Sequence, residues 1–464
     1  MKNVAFHNLG CKVNSYEMEV MQQKLQEKGY HIVAFDEAAD IYIVNTCTVT
    51  NIADRKSRQM LHRAKQKNPA AVVVAVGCYV QTGRDIIEKD DSIDLAIGNN
   101  RKKDIVEILE EYLTSREKYA GEGNDPQYTD RPDLLDKTLG GSTIPDIAHT
   151  YEYEEMQLEQ TVEHTRAYIK IQDGCNQFCS YCAIPLARGR VRSRKEEDIL
   201  REIQGMAAKG YREVVLTGIH ISSYGIDFDQ NGYSGSSRLI DLIERIHDIT
   251  GLERIRLGSL EPRIITADTA KRLAALPKLC PHFHLSLQSG CDATLKRMNR
   301  HYTSGQYYES VEHLRKTFDH PAITTDVIVG FPGETEEEFN ITCEFLEKVS
   351  FYEMHIFKFS RRNGTAAAKM PAQVPEETKT QRSNTLFQLE QRQSKEFRSR
   401  YIGKNAEVLL EETKTIHNTD YLLGHTKDYV KIAIPLPTDT MGPGQLVTIS
   451  VKSFLTDEIL LAEP

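Results

Sequence analysis

Residues 173–182 read Asp-Gly-Cys-Asn-Gln-Phe-Cys-Ser-Tyr-Cys and follow a short apolar run with strand character. The stretch holds three of the nine cysteines, Cys175, Cys179 and Cys182, in a C-x3-C-x2-C spacing. Three thiolates on one short loop are suited to binding three irons of a four-iron cluster, which leaves the fourth iron open to a small-molecule ligand. The loop therefore predicts a 4Fe-4S site.

Two other uses of three clustered cysteines fit less well. A structural zinc site needs four nitrogen or sulfur ligands, and the nearest histidines, His164 and His220, lie well away in sequence. Disulfides are disfavoured because nine is an odd number and cytosolic chains keep their thiols reduced. The iron–sulfur interpretation is favoured over both.

Length and composition restrict the class of protein. A chain of 464 residues predicts about three domains, and 40% apolar residues suffice for sizeable cores. The sequence has no apolar run long enough to span a membrane and no signal peptide, so we expect a cytoplasmic protein without a membrane partner. Because the net charge is −9, any binding of nucleic acid must come from local basic patches.

The cysteine loop follows the first of six strand-like runs that alternate with helical segments. The runs are residues 167–171, 213–217, 254–258, 282–288, 323–329 and 352–359. Six βα units predict an open, partial version of the eight-stranded barrel, in which the chemistry occurs at the carboxyl ends of the strands. The loop containing Cys175 falls at such an end, so the cysteine pattern and the strand pattern agree.

A second set of cysteines lies in the first 114 residues, which also alternate between strand and helix. Cys11, Cys47 and Cys78 each follow one of three strand-like runs, at spacings of 36 and 31 residues. Since the carboxyl ends of parallel strands meet at one edge of a sheet, the three thiols should converge. Each alone could be a buried small hydrophobic residue, but their equivalent positions favour a second three-cysteine cluster.

The overall prediction is an α/β protein with a small all-β module at its end. The segments are an N-terminal parallel α/β domain (1–114), a linker (115–165), a partial (β/α)6 barrel (166–374), a basic helical bridge (375–400) and a barrel-like β module (401–464).

This order of parts resembles the radical S-adenosylmethionine (SAM) methylthiotransferases over nearly the full length. The motifs that carry the resemblance are Gly-Cys-x-x-Asn (10–14), Asn-Thr-Cys-Thr-Val-Thr (45–50), Gly-Cys-Tyr (77–79), Asp-Gly-Cys-Asn (173–176), Ala-Arg-Gly-Arg (187–190), Leu-Gln-Ser-Gly (287–290) and Gly-Phe-Pro-Gly-Glu (330–334). The resemblance implies a radical SAM core, a C-terminal TRAM module and two 4Fe-4S clusters, the second on the N-terminal cysteines. One SAM would methylate a cluster-bound sulfur, and a second would give the 5′-deoxyadenosyl radical that removes a substrate hydrogen. No catalytic residue is implied beyond the cluster ligands.

The same resemblance suggests where SAM would be held. The candidate residues are Tyr181, Thr217, Gly218, Ser286, Gln288 and Gly330. Many radical SAM enzymes carry Gly-Gly-Glu at the end of the second strand, but Ile219 and His220 follow Gly218 here, so the glutamate that would contact the amino group of SAM is missing. Each candidate could equally be an ordinary polar residue at a strand end or a turn glycine.

The cysteine contexts are most similar to members that convert N6-threonylcarbamoyladenosine beside the tRNA anticodon to its 2-methylthio form. Arg188, Arg190, Arg192 and Arg194 follow the cysteine loop and could neutralise phosphates, although they could also begin a solvated helix. The implied partners are tRNA and a low-potential electron donor, with the sulfur donor unidentified. The alternatives are another tRNA adenosine, a ribosomal-protein side chain, or a non-catalytic iron–sulfur protein that binds RNA or senses redox state.

The C-terminal module is an acidic exception to the RNA-binding prediction. Residues 401–464 hold five lysines and no arginine against nine carboxylates, a net charge of −4. Any contact with RNA would require a local patch, with Tyr421 and Tyr429 as candidate stacking residues. The basic bridge at 375–400 is the alternative RNA-binding segment.

Overall fold

A computed structural model describes residues 2–121, 136–161, 165–228, 235–437 and 441–463. Residues 122–135 and 162–164 of the predicted linker lie outside this description. The chain divides into two compact units. The cysteine unit comprises Met1–Leu158, Gln172–Arg194 and Ser360–Ala368, and the barrel unit comprises Glu159–Ile171, Lys195–Phe359 and Lys369–Pro464. The domain boundaries in the sequence analysis stay a prediction.

Seventeen strands and thirteen α-helices are found in the described residues. The strands are β1 (Asn3–Asn8), β2 (His31–Val33), β3 (Ile41–Thr46), β4 (Val72–Gly77), β5 (Leu95–Ile97), β6 (Ala167–Asp173), β7 (Arg192–Ser193), β8 (Glu213–Gly218), β9 (Arg254–Leu257), β10 (His282–His284), β11 (Ala322–Val329), β12 (Glu353–Lys358), β13 (Asn405–Ile416), β14 (Thr419–Thr426), β15 (Lys431–Pro435), β16 (Leu446–Phe454) and β17 (Leu460–Glu463). The helices are α1 (Lys12–Glu27), α2 (Asn51–Lys67), α3 (Cys78–Thr82), α4 (Arg84–Ile87), α5 (Ile105–Gly121), α6 (Ile184–Arg188), α7 (Glu196–Ala208), α8 (Gly235–His247), α9 (Ala267–Ala274), α10 (Asp292–Arg297), α11 (Ser304–Thr317), α12 (Glu336–Val349) and α13 (Glu376–Ser399).

The cysteine unit is built on a five-stranded parallel sheet in the order β2-β1-β3-β4-β5. Every residue of β3 and β4 is buried, as expected for central strands rich in valine and isoleucine. β1, β3 and β4 all run in the same direction, so their carboxyl ends share one edge of the sheet. This confirms the predicted parallel α/β arrangement of the N-terminal segment.

The barrel unit contains the six parallel strands that the sequence predicted. β6, β8 and β9 are neighbours in one sheet, and β10, β11 and β12 form another. A parallel bridge between Leu260 and Leu285 links the two sets, and helices α7 to α12 connect the strands. The partial (β/α)6 barrel is confirmed.

The C-terminal residues form a small closed barrel in the order β13-β14-β15-β17-β16. Its core is aliphatic and includes Val408, Leu422, Ile432, Ile449 and Leu460. α13 precedes it and contacts β12. The all-β module is therefore confirmed, and Glu376–Ser399 of the predicted bridge are helical. No helix in the described part of the chain is long and apolar enough to cross a membrane.

Candidate iron–sulfur and cofactor sites

The three N-terminal cysteines lie at one edge of the parallel sheet. Cys11 is the N-cap of α1, three residues after β1, while Cys47 and Cys78 directly follow β3 and β4. Gly10 precedes Cys11 with a φ of +115°, and a Cβ placed on it would lie 3.1 Å from the Cβ and 3.3 Å from the Sγ of Cys47. Only a glycine allows both this backbone conformation and this approach of two cysteine loops.

Two buried side chains donate hydrogen bonds to the sulfur of Cys78. Arg188 Nε lies 3.4 Å from Cys78 Sγ, and Asn99 Nδ2 lies 3.5 Å from it. Asn99 is held in place because its amide also donates to the carbonyl of Ala187 at 2.8 Å. Hydrogen bonds to ligand sulfurs stabilise negative charge there and are one determinant of iron–sulfur reduction potentials.

The Arg188 guanidinium connects elements that are far apart in sequence. Its Nη1 donates to Glu17 Oε1 at 2.7 Å and to Asp173 Oδ2 at 3.1 Å, and its Nη2 donates to Asn14 Oδ1 at 2.7 Å. Burial disfavours the cation, but Asp173, the Cys78 sulfur and Glu17 together raise the pKa of Arg188 well above its usual range. A permanent cation therefore joins α1, the Cys78 sulfur and the residue that precedes the Cys175 loop.

The Cys175 loop is a tight turn whose shape depends on Gly174. This glycine has a φ of +69°, and a Cβ on it would lie only 1.8 Å from the carbonyl oxygen of Arg190. Within the loop, the backbone N–H groups of Gln177 and Ile184 each lie 3.5 Å from a cysteine sulfur, those of Cys175 and Cys182 respectively. The backbone thus supplies hydrogen bonds to thiolates of the kind found at iron–sulfur sites.

The donor chemistry at both cysteine sets fits a cluster better than a single ion. Of the His, Cys, Asp and Glu residues in the described ranges, only a group in the barrel unit has three ligand atoms all within 4.8 Å of one another. The cysteines are spaced more widely, as expected when each thiolate binds a different iron. Burial raises the pKa of Cys47 to about 11, so iron would have to displace a proton from this thiol.

The arginine run does not present the phosphate-binding surface that the sequence suggested. Arg188, Arg192 and Arg194 are all 0% exposed. Arg192 Nη1 donates to the carbonyl of Arg188 at 2.9 Å, and Arg194 Nε pairs with Glu155 at 2.7 Å. A buried, paired guanidinium cannot reach an RNA backbone, so the prediction is wrong for these three residues. Arg190 is exposed, with its guanidinium 4.4 Å from the centre of the Phe178 ring.

The residues predicted to contact SAM lie at the ends of barrel strands, except Tyr181, which is half-buried in the Cys175 loop. Thr217 and Gly218 end β8, and Ser286 and Gln288 follow β10. The carbonyl of Ser286 accepts hydrogen bonds from Tyr302 at 2.5 Å and from Arg300 at 3.3 Å. Their contact with SAM stays a prediction.

Gly330 has a structural role that its sequence context does not reveal. It follows β11 with a φ of +70°, and a Cβ on it would lie 2.3 Å from Cγ of Lys379 in α13. Its N–H donates to Glu334 Oε2 at 2.6 Å, and Glu334 also pairs with Arg382 at 2.7 Å. The glycine is therefore required by the packing of α13, whatever ligand lies nearby.

His220 occupies the region where many radical SAM enzymes carry a glutamate. Its Nδ1 lies 2.7 Å from the hydroxyl of Ser223. Burial, followed by the charge of Arg300, lowers the pKa of His220 to about 4. The imidazole is therefore neutral at physiological pH and cannot replace the charge of a carboxylate.

The other proposed RNA-binding elements of the barrel unit are partly buried, although the side chains of Arg392 and Lys395 on α13 are 60% and 57% exposed. In α13, Arg382 and Arg398 are buried, and Arg398 pairs with Glu353 at 3.0 Å. Tyr421 is 9% exposed. Tyr429 is stacked on His425 at 4.5 Å, and the guanidinium of Arg256 lies 4.7 Å from its ring centre. Neither tyrosine offers an open face for stacking a base.

Several residues around the cysteines were not identified from sequence. Asp173 and Asn14 lie inside the cysteine motifs, so their proximity to a cluster could have been inferred. Asn99 has no sequence signal. Arg362 Nη2 donates to Thr48 Oγ1 at 2.6 Å, and its Nη1 pairs with Asp54 at 2.7 Å. These partners lie about 310 residues earlier in the chain, so sequence alone gave no reason to link them.

Comparisons with known proteins agree with this architecture. The model of the Radical SAM superfamily matches residues 169–346, and that of the Uncharacterized protein family UPF0004 matches residues 3–98. Among solved structures, the radical S-adenosylmethionine methyltransferase TsrM from Kitasatospora setae superposes with a TM-score of 0.52 at 15% identity, covering 77% of this chain and 72% of that chain. At this identity the similarity supports the fold alone.

Curated relatives align along nearly the whole chain. The threonylcarbamoyladenosine tRNA methylthiotransferase MtaB of Bacillus subtilis is 38% identical, covering 95% of this chain and 92% of the relative. The protein of the same name from Aquifex aeolicus is 39% identical, covering 90% and 95%. The tRNA-2-methylthio-N(6)-dimethylallyladenosine synthase of Opitutus terrae is 35% identical, covering 89% and 88%. With these similarities and two complete sets of three cysteines, the chain belongs to the radical SAM methylthiotransferase family.

Proposed function

We propose that this protein is a tRNA methylthiotransferase that converts N6-threonylcarbamoyladenosine to its 2-methylthio derivative. The net change replaces the C2–H bond of the adenine with a C–S bond to a methylthio group. When bound, one 4Fe-4S cluster would supply the electron that cleaves one SAM to methionine and a 5′-deoxyadenosyl radical, and the other would carry the sulfur that another SAM methylates. The presence of both three-cysteine sets in one compact unit supports methylthio transfer, and the similarity to the MtaB proteins supports the substrate.

The protein's own residues would hold and tune these groups. Cys175, Cys179 and Cys182 would bind the cluster that engages SAM, leaving one iron without a protein ligand. The second cluster would be held by the three cysteines at the sheet edge, Cys11, Cys47 and Cys78. Arg188 and Asn99 would stabilise negative charge on Cys78 through their N–H groups. The reaction needs these cofactors because side-chain acids and bases cannot break an unactivated C–H bond, and the protein's part is to bind and orient them.

The predicted SAM contacts and partners complete the proposal. Tyr181, Thr217, Gly218, Ser286, Gln288 and Gly330 remain the candidate SAM ligands. Arg190 is the one arginine of the run whose exposure is compatible with contacting tRNA. A cytoplasmic location and a low-potential electron donor are part of the same proposal, because tRNA is the proposed substrate and SAM cleavage consumes an electron.

Nucleoside mass spectrometry of total tRNA tests the substrate and the reaction together. We expect a deletion strain to lose 2-methylthio-N6-threonylcarbamoyladenosine and to accumulate the unthiolated nucleoside, and a plasmid copy of the gene to restore it. Loss of a different methylthioadenosine would assign another tRNA substrate, as expected for the dimethylallyladenosine class of relative. An unchanged set of tRNA nucleosides would refute the proposal and favour a protein substrate.

A second experiment separates the two clusters. Replacing the three N-terminal cysteines with alanine should remove about four of roughly eight irons, retain the reductive cleavage of SAM and abolish sulfur transfer. The matched control replaces Cys280, Cys291 and Cys343, which have no cluster spacing, and should keep all the iron. Loss of all iron from the first variant would contradict two separate sites.

A further inference from the structure

Three side chains with metal-binding atoms meet on the sheet of the barrel unit. His284, Asp326 and His355 each offer one ligand atom, and these atoms all lie within 4.8 Å of one another. His284 Nε2 lies 3.4 Å from Asp326 Oδ2. The two imidazole rings are stacked, with their centres 5.7 Å apart and their planes at 28°. None of the three belongs to the cysteine sets.

The register of three neighbouring strands produces this cluster. Asp326 of β11 is directly paired with His355 of β12. His284 of β10 is paired with Thr324, which lies two residues before Asp326 and so points to the same face of β11. Three adjacent strands therefore contribute one ligand each to a single face.

The cluster is partly open to solvent. His355 is exposed, while the side chains of His284 and Asp326 are 12% and 28% exposed. An ion bound here would keep coordination positions open to water or to a small ligand.

The surroundings of His284 match those of a metal-binding histidine. Its Nδ1 shares a hydrogen bond with Thr324 Oγ1 at 3.0 Å, and its Nε2 is directed towards Asp326. Metal-ligating histidines commonly use one ring nitrogen for the metal and fix the ring through the other. An ion pair alone would need only His284 and Asp326 and gives no reason for His355 to complete the group.

We propose that His284, Asp326 and His355 bind a divalent transition-metal ion, with two imidazole nitrogens and one carboxylate oxygen as ligands. Two histidines and a carboxylate suit zinc and iron(II), and zinc binds such ligands more tightly than iron(II). The open positions allow a water or a carboxylate ligand to complete the coordination. This inference goes beyond the proposed function and does not depend on it.

The test measures zinc binding by the reconstituted holoprotein. The protein is dialysed anaerobically against zinc sulfate and then against buffer, and zinc and iron are determined in the same sample. We expect one zinc per chain with no loss of iron. Zinc K-edge absorption should show nitrogen and oxygen ligands without sulfur, a result that does not rely on any variant.

Variants assign the ion to these residues. His355→Ala and Asp326→Asn should each abolish the stoichiometric zinc, and Thr324→Val should weaken binding by about 10- to 100-fold, as for other partners of metal-ligating histidines. The matched control is His313→Ala, because His313 faces Glu309 at 3.7 Å on α11 without a third ligand in the described residues. The proposal would be overturned if no zinc were retained, if the zinc K-edge spectrum showed sulfur ligands, or if the Asp326 and His355 variants bound as much zinc as the parent protein.

Discussion

Replacing Arg188 with alanine should destabilise the cysteine unit and change the cluster at its sheet edge. Removing one partner of a buried ion pair costs about 3–5 kcal/mol, since the other partner is left uncompensated. Here Glu17 keeps a hydrogen bond from Lys102, and Asp173 keeps Arg192 at 3.7 Å. We therefore expect a cost at the lower end of this range, about 3 kcal/mol. This corresponds to an increase of about 140-fold in the equilibrium constant for local opening.

Hydrogen–deuterium exchange of α1 and the Cys175 loop measures this opening directly. A second readout is the midpoint potential of the N-terminal cluster, followed by electron paramagnetic resonance in a background lacking Cys175, Cys179 and Cys182. Loss of the Arg188 N–H bond to Cys78 removes a stabilising positive charge from the sulfur, so the potential should become more negative. Arg188→Lys keeps the positive charge but not the planar guanidinium, so its midpoint potential should lie between those of the parent protein and Arg188→Ala.

Arg190→Ala is the matched control, because Arg190 is exposed and two residues away. It should leave exchange, iron content and potential unchanged. A structural role of Arg188 is refuted if Arg188→Ala exchanges like the parent protein, or if its only defect is weaker tRNA binding with a shallower salt dependence. The latter is the behaviour of a surface phosphate contact.

Two further predictions concern the loop geometry and the C-terminal barrel. Gly10→Ala should lose about half of the iron, because the new methyl would lie 3.1 Å from the Cβ of Cys47 and displace this ligand, whereas Gly29→Ala, with a similar positive φ but nothing within 4 Å, should keep it all. Burial raises the pKa of Asp428 from 3.8 to about 6, so the folded state holds the proton more tightly and its stabilising effect disappears as pH rises through that range. Between pH 5 and 7.5 the free energy of unfolding should fall by about 1.4 kcal/mol from this group. Hydrogen–deuterium exchange of residues 401–437, corrected for intrinsic rates, measures this fall, and Asp428→Asn should abolish it. An unchanged pH dependence in the variant would contradict the prediction.

The sheet architecture was predictable because its signals are local. β3 and β4 are rich in β-branched residues and buried along their whole length, and each is followed directly by a cysteine. Parallel strands place their carboxyl ends together, so the convergence of Cys11, Cys47 and Cys78 followed without any knowledge of side-chain contacts. The short strands β2, β5 and β7 escaped prediction because two or three residues cannot establish a period.

The role of the arginine run could not be predicted because it depends on contacts that are distant in sequence. An arginine beside acidic residues reads as a solvated cation, and nothing near Arg188 indicates that Glu17, 171 residues away, pairs with it. The same holds for the site at β10 to β12, where strand register brings together His284, Asp326 and His355. Sequence identifies ligands that follow a spacing rule, whereas tertiary pairing decides which charged groups become buried.

The cysteine unit is built from three separate segments of the chain, and this affects how it folds during synthesis on the ribosome. The N-terminal sheet can form early, but Arg362, which donates to Thr48 beside Cys47, is encoded 314 residues later. At about 5–20 residues per second, roughly 15 to 60 s separate the synthesis of these two residues. Throughout that interval the loop that follows Cys47 lacks one of its native supports. Iron delivered during translation would meet a looser loop, so the final protection of this thiol should depend on completing the chain as far as Ala368.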